Sequence, residues 1–249
     1  MCAQFSIEEE NLFTKTGQTV LKRLRKTRNP AEFLAVLRSA HKGFDRAYAS
    51  APAEARAVVA CCAGCGTCCH VPVGVQAHEV LLAAEFIQTR FPPADFEAVI
   101  ARTAAHRAAF AGRTMDERAA LKMPCALLRE GNCSIYEARP EACRSHHSRN
   151  LDGCRSNLES GFDTVDVLIP EIRGRMFAVM LAIDQAVVEA GFDGQAYDFG
   201  SALHEALTDS LCLVRWMQRQ SAFPESCREV GQPGEDADAG VLHAEGYFQ

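Results

Sequence analysis

The 249-residue sequence holds no window of about 18 uninterrupted apolar residues, the length a helix needs to cross a bilayer. Its start, MCAQFSIEEENLF, lacks the basic stretch followed by an apolar one that marks an export signal. Positive charge is also short. With 26 Lys and Arg against 32 Asp and Glu, the formal net charge is −6, which argues against a nucleic-acid binder driven by phosphate neutralisation. No internal repeat suggests a solenoid, and there is no GxGxxG nucleotide loop, Walker sequence or HExxH helix. These absences predict a soluble, cytoplasmic chain without a membrane or nucleic-acid partner, long enough to bury a core without crosslinks.

What the sequence has in excess is cysteine, twelve in all. In a chain with no export signal, such thiols sit in a reducing compartment, where metal ligation or redox chemistry is favoured over structural disulfides. Five of them fall within Cys61 to His70 (CCAGCGTCCH). Cys62, Cys65 and Cys68 recur every third residue and Cys69 follows directly, giving C-x-x-C-x-x-C-C. Two thiolates separated by two residues can bend round one ion, because the intervening pair makes a tight turn that aims both sulfurs the same way. Gly64 and Gly66 suit that turn.

A second set lies in residues 124–144, PCALLREGNCSIYEARPEACR. Cys125 and Cys133 flank a Glu130-Gly131-Asn132 turn, which predicts a small hairpin with a thiol near each end. Arg139-Pro140 opens a helical turn carrying Cys143, and Cys154 follows. Zinc would use such cysteines in two four-thiolate sites or one binuclear site. C-x-x-C-x-x-C is equally the spacing with which bacterial ferredoxins open a four-iron ligand set, although their C-x-x-x-C-P continuation is absent here. The spacing fits both metals.

The flanks read as helices. Asn29-Pro30 is a start signal, and Phe33, Leu34, Leu37 and Phe44 then share one face of a helix over about 30–49. An Ala-rich helical stretch over 53–61 leads into the cysteines. Helices are expected over 76–91 and 94–111, with a short one after the Thr114 to Glu117 capping box. Residues 1–28, acidic then basic, predict a short surface helix. The stripes over 168–190 and 201–219 predict two long helices pairing as an antiparallel hairpin that roofs the cysteine core. The fold class is therefore mainly α, with a loop-rich metal core. Its divisions are N-terminal helices (1–55), the cysteine core (56–160), a C-terminal helical hairpin (161–228) and a flexible tail (229–249). Cys212 reads as a buried thiol, and Cys2 and Cys227 as exposed ones.

CAGCGTCC at Cys62 to Cys69, followed by PCALLREGNCSIYEARPEACR, resembles the YkgJ-type cysteine-cluster proteins, a family described as zinc- or iron-chelating domains. The likeness covers roughly residues 60–155. It implies a metal set of Cys62, Cys65, Cys68, Cys69, Cys125, Cys133 and Cys143, with Cys154 as an eighth and Cys61 leaving the first ligand open. The related flagellin lysine methylases share the signature and are associated with an iron–sulfur cluster, so the resemblance favours iron–sulfur over zinc. It implies a metal-binding protein in metal handling, redox sensing or service to a protein partner. The alternatives are a cluster-dependent protein-modifying enzyme like those methylases, or a structural zinc module for protein interaction.

The remaining residues of the motif have competing roles. Tyr136 is expected to anchor the hairpin by packing and one hydrogen bond. Arg139 and Arg144 either stabilise the negative thiolate cluster or pair with Glu137 and Glu141. His146 and His147 are near enough in sequence to offer an imidazole. His78 and Glu79, in the first turn of a helix, could face the site or serve the surface or core.

Overall fold

The computed structural model describes residues 5–161, 164–229 and Phe248. The expected tail lies outside the described residues but for Glu229 and Phe248, as does Cys2. Capping side chains set the opening helices. Glu9 accepts the Ser6 backbone N–H (2.8 Å) and Ser6 Oγ accepts that of Glu9 (3.3 Å), starting α1 (Ile7–Leu24). Asn29 Oδ1 accepts the Glu32 N–H (2.9 Å), and Pro30, which has no N–H to lose, begins α2 (Pro30–Ser50). A short α3 (Ala53–Ala57) leads to the first cysteines, which end in a 3-10 turn, Thr67–His70.

Beyond the cysteines the chain runs through β1 (Gly74–Gln76), α4 (Ala77–Arg90), α5 (Pro93–Phe110) and α6 (Met115–Ala120). The hairpin strands β2 (Leu128–Arg129) and β3 (Asn132–Cys133) follow, then α7 (Glu141–Ser145) and α8 (Leu151–Ser160). The chain continues with α9 (Pro170–Glu189), β4 (Ala196–Asp198), α10 (Phe199–Thr208) and α11 (Cys212–Met217). The fold is mainly helical, as the periodicity requires, and no described helix is long and apolar enough to cross a membrane.

The core is continuous from α1 to the 3-10 turn Glu225–Cys227, and α9 runs through it. Ile172, Met176, Val179, Ala182, Ile183, Ala186 and Val187, at three- and four-residue steps, are all buried. Four features differ from the sequence reading. α1 is no mere surface helix: Val20, Leu21 and Leu24 are buried and its main partner is α9. Gly174 on α9 permits that approach, since a Cβ there would run into the Glu9 carboxylate.

The second difference is that the two C-terminal stripes do not form a paired hairpin. α9 packs on α1, α2 and α7, whereas α10 packs on α4 and α5. The expected helix over 201–219 is also broken. The Asp209 carboxylate accepts the Leu211 N–H (2.9 Å) and the Arg215 guanidinium (2.8 Å), which starts a new turn rather than continuing the old one. α11 then swings Trp216 inward, against the rings of Phe33 (4.6 Å) and Phe192 (4.5 Å).

The third is β4, which the sequence reading lacked. It pairs antiparallel with β1 in the register Gly74↔Asp198, Val75↔Tyr197 and Gln76↔Ala196. Two three-residue strands carry too few alternations to leave a periodic signal. The last is Cys227, which is buried rather than exposed, because the Arg228 bridge to Tyr197 folds that segment onto the sheet. Cys212 is buried as expected.

Candidate metal centre

The cysteine loop is shaped by its own backbone. The Cys65 N–H donates to the Cys62 carbonyl (3.2 Å), closing the first C-x-x-C segment as a turn, and the Cys69 N–H donates to that of Gly66 (3.0 Å), closing a second turn over 66–69. Gly64, inside the first turn, has φ +81°, which a side chain would resist. The hairpin clasps this loop from the other side. Its turn residue Gly131 (φ +77°) passes so close that a Cβ would lie 2.8 Å from the Gly64 carbonyl oxygen, and Asn132 Oδ1 accepts the Gly64 N–H (3.0 Å). The Cys125 N–H donates to the Cys69 carbonyl at 2.7 Å. Cys133 closes the hairpin opposite Leu128.

Cys143 arrives on α7, whose position is fixed by Glu79. One oxygen of that buried carboxylate accepts the Gln76 N–H (2.7 Å) at the start of α4, and the other accepts the Glu141 N–H (2.6 Å) at the start of α7. Burial and the nearby Glu141 charge push the Glu79 carboxyl up to about 7. Burial also raises the Cys143 thiol, and the neighbouring thiols of Cys125, Cys68 and Cys133 raise it further. Cys125 is pushed up to about 11 mainly by burial, and Cys133 is raised for the same reason. Cys68 behaves oppositely. A hydrogen bond from Cys69, then its backbone and the Arg139 charge, bring it down to about 7, while Cys69 is raised as the partner that keeps the proton.

Cys68, Cys69, Cys125, Cys133 and Cys143, drawn from three separated segments, thus lie close enough to act on one another's thiols. Cys61 and Cys154 gather beside them on Ser148, a residue the sequence reading did not single out. The Ser148 N–H donates to Cys61 Sγ (3.3 Å), and Cys154 Sγ donates to Ser148 Oγ (3.1 Å). Cys61 also interacts electrostatically with Cys68 and Cys65. Cys62 is exposed, and Cys65, half-buried, lies 3.8 Å from Thr67 Oγ1.

The charged partners sort as follows. Arg139 acts on Cys68 and Cys133, favouring the thiolate at both, and stacks its guanidinium 3.8 Å from the Tyr136 ring centroid. Tyr136 is therefore an exposed platform for Arg139 rather than a packed anchor of the hairpin. Arg144 forms no ion pair with the Glu137 or Glu141 side chains. It donates to the Arg139 carbonyl (3.0 Å) and to the Glu137 carbonyl, which braces the turn before α7. His147 stacks on Tyr48, 5.0 Å between ring centroids. His78 is fully buried, bonded to Glu141 rather than placed among the sulfurs.

The donor set fits a thiolate-bound metal. All described cysteines are free thiols, five of them converge, and a guanidinium stands ready to offset the negative charge that ionised sulfurs would carry. No curated protein and no solved structure matches the chain. A family model does match, over residues 61–160, from Cys61 to just past Cys154. Residues 61–160, which hold every converging sulfur, match the family described as "CxxCxxCC: Putative zinc- or iron-chelating domain".

Proposed function

We propose that this chain binds an iron–sulfur cluster, or in its place zinc, through thiolates drawn from Cys62, Cys65, Cys68, Cys69, Cys125, Cys133, Cys143 and Cys154, and serves in metal handling, redox sensing or as an accessory to a protein partner. Cys61 competes with Cys62 for the first position, because it sits with Cys154 on Ser148. The observation that carries the reading is the convergence of Cys68, Cys69, Cys125, Cys133 and Cys143 without a disulfide among them. A protein gains nothing from crowding ionisable thiols unless something shares their charge.

The preference for a cluster over zinc rests on the resemblance to the flagellin lysine methylases, since the cysteine spacing suits either metal.

Anaerobic purification, elemental analysis for iron and zinc, and a visible spectrum of the same sample test the proposal. Iron with matching sulfide and a broad absorption near about 400 nm is the expected result. Zinc in a colourless protein would replace the cluster with a structural site.

A further inference from the structure

Behind the sulfurs, the core contains a second group of donors with no thiol in it. His41 comes from the middle of α2, His78 from the first turn of α4, Glu141 opens α7 and Asp184 lies on α9. All four are buried. His41 Nε2 lies 2.8 Å and His78 Nε2 3.2 Å from the same atom, Glu141 Oε1, and His78 Nε2 lies 3.7 Å from Asp184 Oδ1.

From this geometry we propose a second metal site, in which His41, His78 and Glu141, with Asp184 beside them, bind one first-row divalent cation such as Fe2+ or Mn2+. Three observations carry it. Donors about 2.1 Å from a shared ion stand roughly 3.0 to 3.4 Å apart, which is close to the spacing found here. Glu141 Oε2 and Asp184 Oδ1 are buried with no hydrogen-bond partner, so acceptor capacity is left over in the core. The site is also rich in carboxylates: Glu79, Glu141 and Asp184 come together, and burial with the other two carboxylates raises the Asp184 carboxyl well above its ordinary value.

Glu79 is not one of the ligands in this assignment, because both its oxygens already accept backbone N–H groups. Two imidazoles and a carboxylate, with positions left for water, match the ligand set of non-haem Fe(II) sites and suit Mn2+ as well. The thiolates prefer softer ions. Glu141 and Cys143 share α7, so that helix would hold a ligand to each centre.

Mn2+ separates the two sites. The full chain, dialysed against chelator, is titrated with Mn2+ and the free ion is read by electron paramagnetic resonance. One Mn2+ per chain is expected, with spin-echo modulation from two imidazole nitrogens. His41→Gln should weaken uptake at least tenfold, and Lys15→Gln, at an exposed position of α1, should leave it unchanged. A wild-type chain that leaves Mn2+ free, or binds it without nitrogen modulation, overturns the site without recourse to any variant. Uptake by a folded His41→Gln chain equal to wild type overturns it too.

Discussion

Single residues separate ligation from packing. Cys65 stands in the loop whose backbone turns present the sulfurs, half-buried and with its sulfur 3.8 Å from Thr67 Oγ1. Cys65→Ser should lower bound metal per chain, measured by elemental analysis, because a serine hydroxyl does not ionise to replace a thiolate at neutral pH. Cys227 is the control. It is fully buried in the apolar core, and burial pushes its thiol up to about 12. Cys227→Ser should leave metal content unchanged and cost about 1–3 kcal/mol of stability in a denaturant melt, the penalty for burying a hydroxyl where a thiol packs as a small hydrophobe. Loss of metal in this variant with its fold intact would mean that the core and the centre are not separate.

At the scale of elements, the hairpin and the two helix starts do the positioning. Gly131 turns β2 into β3 at positive φ, with the Gly64 carbonyl against it. Gly131→Ala would strain the turn and push that carbonyl away, at an expected cost of about 1–3 kcal/mol. Metal content should fall with it, and retention of full metal content would show that the clasp is dispensable. Glu79 joins α4 to α7, and its carboxyl is raised from the ordinary 4.5 to about 7, first by burial and then by Glu141. A carboxyl raised on folding binds its proton more tightly in the folded chain, so its contribution is full below the unfolded value. It is lost as pH climbs from about 4.5 through about 7. An amide in its place does not titrate. In the metal-free chain, the deficit of Glu79→Gln relative to wild type should therefore be larger at pH 5 than at pH 8. A deficit that grows with pH would contradict a raised carboxyl.

For the whole molecule, what the sequence reveals depends on how local the cause is. Asn29-Pro30, the Thr114 to Glu117 box and the α9 stripe are decided within a few residues, and their helices lie where periodicity and capping put them. The hairpin of Cys125 and Cys133 was equally legible from its Glu130-Gly131-Asn132 turn. Legibility ends where partners are distant. His41 and Asp184 stand 100 and 43 positions from Glu141, and His78 shares no motif spacing with any of them, so only the packing of four helices brings them together. The same holds for Ser148 between Cys61 and Cys154, and for β1 on β4. This division between local and distant causes also decides what metal removal should do. The apolar core is built by α1, α2, α4, α9 and α10, and only Cys212 and Cys227 among its fully buried members are cysteines. Apart from Cys143 on α7, the sulfurs that converge sit instead on a loop and a hairpin, tied to each other by few hydrogen bonds, chiefly Cys125 to Cys69 and Gly64 to Asn132. Chelation should then raise deuterium uptake in residues 61–70 and 125–134 while the amides of α2 and α9 stay protected, since stability is local where contacts are few. A chain built like a zinc finger would lose protection everywhere at once. Uniform exchange after chelation would make the metal the keystone of the fold rather than cargo or cofactor held at its edge.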